Sequence, residues 1–393
     1  MSDSNYLDKL PVAPLKLLSL DGSLPLATKV NKLIVDARQS LVHEYKSSLS
    51  LYGYDVDNYL VHSLTPRFSS GESKGLLYET IRGSDVYIIA DIFNHSIQYQ
   101  LNKHENMTSP DDQFQDLKRL IDACNGKARR INVIIPSLYE GRQNIRTHLE
   151  SLDCATALNE LVNMGVKNII TFDAHDPRVE NAIPIVGFDN FFTSYQFIQA
   201  LLANEKGLSL DNDHLMIISP TENGMSRAIF YANILGVDVG MFYGRNDYSN
   251  LDQEGNPAVI HEYLGANVEG KSVFIIDDMI DSGEGILKIV KELKKRNASK
   301  IYIAATFGLF TKGYDTFDEF FENGFINRIY TTNLTYCSPE LLNKPYYVNV
   351  DISRYLALII HTINHDKSVE GILNSVTRIQ DIVAEYKENN KLS

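Results

Sequence analysis

The chain has 393 residues, 44% of them hydrophobic and 22% charged, with a formal net charge of −13. That length can bury a large core and is read as two domains of ordinary globular composition. The negative balance argues against general affinity for nucleic acid or an anionic membrane surface, while leaving room for a local cradle that binds phosphate.

Cys124, Cys154 and Cys337 are widely spaced and form no CxxC or Cys/His cluster. Isolated reduced thiols are therefore expected, not a disulfide framework or a zinc site. The first ten residues lack the basic-then-apolar order of a signal peptide, and apolar runs such as 355–360 are too short to span a bilayer. A reducing cytoplasm is the expected location.

Residues 1–50 read as an N-terminal extension, in which Pro11, Pro14 and Pro25 punctuate an opening that leads into a helix over 29–51. Beyond it, strands are expected at 59–63, 85–91, 131–136, 168–173 and 183–187, then at 215–219, 237–242, 272–277, 300–306 and 328–332. Helical spacing of apolar residues covers 116–124, 153–164, 225–235 and 284–295. This alternation predicts an α/β protein whose sheets are mostly parallel and flanked by helices. Gly207, Ser209 and several Asp/Asn residues mark a break near 200–212, giving domains over 51–205 and 206–393. The polar stretch 94–112 is too long for a usual connection and is read as covering a site or forming a subunit contact. A helical tail over 353–389 is expected to pack on a domain or a neighbouring subunit.

The best functional clue lies at 273–290, where a β-type apolar run reaches Asp277 and Asp278, passes through Asp281, Ser282, Gly283, Glu284 and Gly285, and becomes an amphipathic helix. Carboxylates at the carboxyl end of a strand can accept hydrogen bonds from a sugar diol or hold a hydrated Mg²⁺. Glycines at a helix start let successive N–H groups surround a phosphate. An EF-hand is excluded because its alternating Asp-x-Asp spacing is absent. A receiver or phosphatase site would leave the glycine-rich helix entry unexplained.

This loop resembles the 5-phosphoribosyl 1-diphosphate (PRPP) motif of type I phosphoribosyltransferases and ribose-phosphate diphosphokinases. Five further segments are similar to the diphosphokinases: 67–72 (RFSSGE), 81–86 (IRGSDV), Arg142-Gln143, 171–175 (TFDAH) and 267–271 (NVEGK). Together they cover roughly residues 55–375. The resemblance implies two phosphoribosyltransferase-like domains in a homo-oligomer built from dimers, with a hexamer as the family's assembly. It also implies that ATP with Mg²⁺ and ribose 5-phosphate are converted to PRPP and AMP. By the same matches, Phe68 and Glu72 of one subunit and Arg142 and Gln143 of its neighbour would contact adenine. His175, with Asp173 beside it, would meet the metal and phosphates of Mg·ATP. Arg245 would act on the transferring group, and Asp277, Asp278 and the loop Asp281, Ser282, Gly283, Glu284, Gly285 would hold ribose 5-phosphate.

Four departures from the family pattern fall at chemically important positions. Thr221 stands for an aspartate, with Asn223 for a glycine in the same loop. Gly244 and Asn246 stand for a lysine and an arginine of the flexible catalytic loop. Ser70 replaces an adenine-side aspartate, and Gly285 a hydroxyl residue of the phosphate loop. Three readings follow. One is a diphosphokinase of reduced activity, another a catalytically impaired regulatory or assembly subunit, and the third, least favoured, a PRPP-consuming phosphoribosyltransferase.

Overall fold

The computed structural model describes residues 9–44, 53–251 and 257–391, and for 245–251, 257–261 and 391 it describes the backbone only. The chain forms two compact units. The first holds the described residues up to Phe192 together with Asn333–Tyr336 and Asp351–Leu373. The second holds Thr193–Thr332, Cys337–Val350 and the tail from Asn374.

In the first unit the elements are β1 (Leu15–Ser19), α1 (Leu24–Glu44), β2 (Ser63–Leu64), β3 (Leu76–Leu77), β4 (Asp85–Ile89), β5 (Gln98–Leu101), β6 (His104–Met107), α2 (Pro110–Ala123), β7 (Arg130–Ile134), α3 (Asp153–Asn163), β8 (Asn168–Phe172) and β9 (Gly187–Phe191). Its main sheet is parallel throughout, in the order β1-β4-β7-β8-β9. The inner strands read as continuous apolar runs because helices cover the sheet, as at Val133, Ile134, Ile169 and Ile170, all fully buried.

The expected N-terminal extension is corrected here. Leu15–Ser19 runs in register with Asp85–Ile89, and Val30 and Ile34 of α1 are buried. The prolines flank the strand without excluding it, since Pro14 supplies the carbonyl that accepts Asp85 N–H at 2.9 Å. The expected strand 59–63 is reduced to a bridge between Leu17 and Leu60 and the short β2. The strand placed at 183–187 begins at Gly187, because Pro177–Ala182 forms a 3₁₀ turn and Pro184 has no N–H to give a ladder. The polar stretch 94–112 contains the hairpin β5–β6 and the start of α2, which Pro110 and a Ser109/Asp112 capping box initiate six residues before the expected 116. Of the helix expected over 29–51, residues 45–51 lie outside the described residues.

The second unit contains α4 (Ser194–Asn204), β10 (Leu215–Ser219), α5 (Met225–Leu235), β11 (Asp238–Leu251), β12 (Pro257–Leu264), β13 (Ser272–Ile280), α6 (Glu284–Lys295), β14 (Ile301–Gly308), α7 (Asp315–Glu322), β15 (Arg328–Thr332), α8 (Pro339–Leu342) and β16 (Tyr347–Val350). Its sheet has the order β12-β11-β10-β13-β14-β15-β16, antiparallel only at the β11–β12 edge. α6 buries Ile286, Leu287, Ile289, Val290 and Leu293 on one face, against strands whose Ile275, Ile301 and Ile303 are fully buried. Truncating such a side chain to alanine costs about 2–5 kcal/mol. The units divide after Phe192 instead of after 205, because α4 packs with the C-terminal helix of the second unit.

The tail also divides. α9 (Ser353–Asn364) and α10 (Glu370–Leu373) belong to the first unit, and α11 (Val376–Lys391) to the second. α9 packs on α1 around buried Arg38, which donates to Asn364 Oδ1 at 2.7 Å and His361 Nδ1 at 3.3 Å. Tyr54 and Tyr59 rings lie 4.6 and 4.9 Å from the guanidinium. His365 Nε2 meets Tyr54 Oη at 2.6 Å. Burial, and then the nearby Arg38, hold His361 well below its ordinary value, and burial lowers His365 to about 4.

Both imidazoles are therefore neutral in the fold, whereas the unfolded chain takes protons as pH falls below about 6.5. Stability is full above that pH and declines down to about 4, by roughly 2–4 kcal/mol from His365 alone. His365→Gln removes that titration and should flatten the decline between pH 7 and 4.5 in denaturant titrations. An undiminished slope in the variant would contradict the assignment.

Candidate functional site

β13 is the central strand of the second unit's sheet. Asp277 stands opposite Ala305, and the strand continues to Ile280, so the paired aspartates occupy its last turns of pleat and not its tip. Asp278 is buried, and its N–H donates to Asp277 Oδ1 at 2.9 Å. Burial first, and the Asp278 carboxylate second, raise Asp277 well above the ordinary carboxyl range, and Arg227 of α5 opposes the rise.

Gly283 then turns the chain into α6 at φ 81°, and a Cβ at this position would overlap the Phe317 ring. Only glycine meets both demands. The helix leaves its first N–H groups without intrahelical acceptors and carries the positive end of its dipole there, an arrangement chemically able to receive an anion. The segment after β14 clasps this loop. Leu309 N–H donates to Ile280 O at 2.8 Å, and Thr311 donates through N–H and Oγ1 to Asp281, both at 3.0 Å. Lys312 Nζ lies 2.5 Å from Glu284 Oε1 and holds that carboxyl below its ordinary range.

The Ser219–Gly224 turn lies at the end of β10, next to β13. Thr221 Oγ1 accepts from Gly224 N–H at 3.3 Å, and Ser219 Oγ donates to Thr221 O at 2.7 Å. Thr221 thus shapes the turn, while Glu222 and Asn223 are exposed. The segment expected to be a flexible loop is instead part of a ladder, with Tyr243 opposite Glu262 and Gly244 opposite His261. Tyr243 Oη donates to Glu262 Oε2 across it. Arg245 has its backbone in β11 opposite Ile260, and its side chain lies outside the described residues.

In the first unit, Asp173 follows β8 in a left-handed conformation at φ 41° and is buried. Its N–H donates to Phe191 O at 2.8 Å, and Ala174 N–H to Asn190 Oδ1 at 3.0 Å, which fixes the loop holding half-buried His175 just beyond the carboxyl end of β8. Aspartate is among the few non-glycine residues that adopt this left-handed backbone readily. Asn144 donates to Asp176 Oδ2 at 2.9 Å, tying the loop of exposed Arg142 and Gln143 to the His175 loop.

Phe68 and Glu72 are exposed at a separate tight turn, closed by Phe68 N–H to Glu72 O at 2.7 Å. Arg67 beneath them is pinned by Asp112 and Asp116 of α2, and its guanidinium lies 5.2 Å from the Tyr99 ring of β5. Tyr139 donates to Asp111 at 2.6 Å, so the first turn of α2 joins both expected adenine segments within one chain. Sequence reasoning passed over Arg227, Phe317 and Lys312. Lys312 had one usable signal, a cation just beyond an apolar strand run that neighbours β13.

The N-terminal domain of ribose phosphate pyrophosphokinase matches residues 15–165, and a phosphoribosyl transferase domain matches residues 190–319. A Streptococcus agalactiae protein provisionally named ribose-phosphate pyrophosphokinase 2 is 31% identical over 249 residues, 63% of this chain and 68% of its own length. The Vibrio parahaemolyticus ribose-phosphate pyrophosphokinase is 27% identical over 78% of this chain and 90% of its own length. The crystal structure of phosphoribosylpyrophosphate synthetase from Mycobacterium smegmatis matches in fold with a TM-score of 0.67 and 19% identity, over 90% of this chain and 99% of that one. The two α/β units are thus phosphoribosyltransferase-like domains, and the chain belongs to the ribose-phosphate pyrophosphokinase family.

Proposed function

We propose that this chain transfers the β,γ-diphosphoryl group of Mg·ATP to the anomeric hydroxyl of ribose 5-phosphate, forming PRPP and AMP at a low rate. The observation that carries the reading is the sequence of paired aspartates, Gly283 turn and clasped α6 start on the central strand. In this reading the N–H groups of the 281–285 loop take the sugar's phosphate, and Asp277 and Asp278 accept from its hydroxyls. Phe68, Glu72, Arg142 and Gln143 serve adenine, and exposure of Phe68 suits completion of that site by a second copy in a homo-oligomer. Sedimentation should find at least a dimer at working concentration, and a monomer alone would count against that arrangement.

Mg²⁺ keeps several of its waters and needs only one or two carboxylates plus phosphates. Asp173 and His175, neighbours in one loop of the first unit, offer donors of the kind a metal arriving on ATP would take. Among the described residues, no three His, Cys, Asp or Glu form a cage of their own. When bound, the metal would neutralise charge on the phosphates. Arg245 would be the remaining cation of the catalytic segment, and His175 would orient the ATP phosphates.

A second reading, an impaired regulatory or assembly subunit, draws support from Gly244 and Thr221. Losing one group that stabilises developing charge costs on the order of 10²–10³ in rate. Quantifying AMP from purified protein, ATP, ribose 5-phosphate and Mg²⁺ separates the two. Slow but protein-dependent AMP release supports synthesis, and none at all with both substrates bound supports the subunit role.

Because Asp277 holds its proton above the usual range, a ligand that requires its carboxylate must displace that proton. Affinity for ribose 5-phosphate should therefore rise with pH until Asp277 is ionised in the free protein. Asp277→Asn should bind weakly and without that pH dependence. Wild-type affinity that does not change with pH would contradict this role.

A further inference from the structure

We infer that Lys312 is a direct ligand of the sugar-phosphate's phosphate group, parked on Glu284 until that dianion arrives. This rests on the ribose 5-phosphate reading of the loop and adds to it a residue that the family motif does not supply. Lys312 follows β14, the parallel neighbour of β13, at the sheet end where ligands of such folds bind. Its backbone is fixed beside the cradle, because Leu309 and Thr311 hydrogen-bond to Ile280 and Asp281. Its Nζ already rests 2.5 Å from a carboxylate oxygen of the first residue of α6.

The electrostatics favour an exchange of partners. Glu284 places its own negative charge at the positive end of the α6 dipole, where an incoming phosphate must sit. The two side chains are 63% and 60% exposed, and a pair so exposed is cheap to open. A phosphate monoester offers the ammonium group a doubly charged acceptor, supported by the helix N–H groups. Lys312 would also replace the side-chain donor missing at Gly285, where a hydroxyl residue closes the loop in the family.

Glu284 is thus a built-in competitor and Lys312 the cation it lends. The two substitutions should act in opposite directions, a pattern that a merely structural ion pair would not produce. Calorimetric titration of the full chain with ribose 5-phosphate is the test. Lys312→Met should weaken binding about tenfold, Lys312→Arg should restore most of it, and Glu284→Gln should tighten binding about threefold. Unchanged affinity in both Lys312→Met and Glu284→Gln would reduce the pair to surface decoration. Equal weakening in both would mean that it only shapes the loop, and either result overturns the inference. No binding by the wild-type protein would instead remove the ribose 5-phosphate reading, and the inference with it.

Discussion

Gly283→Ala is expected to destabilise the second unit by about 2–5 kcal/mol and to abolish ribose 5-phosphate binding. Two costs combine. A Cβ in left-handed backbone is unfavourable by roughly 1–2 kcal/mol, and forcing it into the Phe317 ring adds about 1–3 kcal/mol. Phe317 cannot step aside, because it is buried and packs edge-on against Phe310 at 5.1 Å. The loop must therefore move, and its N–H groups lose their convergence. In thermal unfolding the variant should melt roughly 5–15 °C lower. Adding Phe317→Ala should relieve part of the clash, so that the double variant is more stable than the sum of the single effects. Strict additivity would show that the ring is not what excludes a side chain at this position.

Restoring the family's charged groups should produce the largest gain in chemistry. Thr221→Asp, Gly244→Lys and Asn246→Arg together are expected to raise AMP formation by about 10²-fold or more. Thr221 is exposed, and its role in the turn is one that an aspartate side chain can also fill, since both accept from the N–H that closes it. Gly244 is exposed on β11. Single replacements should each return much less, because groups that act on one transition state are not additive. ATP and ribose 5-phosphate still bound, with no gain in AMP, would show that these positions do not limit the proposed reaction.

The strand–turn–helix unit of the second domain was legible because each of its parts has a local signal. An apolar strand run, adjacent acids, a glycine at the turn and a strongly amphipathic helix occur within 273–290, and the structure joins them as β13, the Gly283 turn and α6. β10 was equally readable as an apolar run on an inner strand, and β15 as a short segment of β-branched and aromatic residues. Other elements carry little local signal. β1 is five residues between prolines and is a strand only because β4 pairs with it. The β5–β6 hairpin alternates almost no apolar residues, and its Tyr99 and Leu101 gain meaning by packing on Arg67 and Gly71. The division of the tail between two units, and the reach of Lys312 to Glu284, depend on tertiary packing that no window of sequence contains.

Hydrogen exchange at the amides of residues 282–287 tests most directly whether this loop receives the sugar phosphate. Addition of ribose 5-phosphate should slow exchange at these N–H groups at the start of α6, and inorganic phosphate should do so more weakly. Saturating ribose 5-phosphate that leaves them exchanging as before, while protecting some other segment, would contradict the assignment of this cradle.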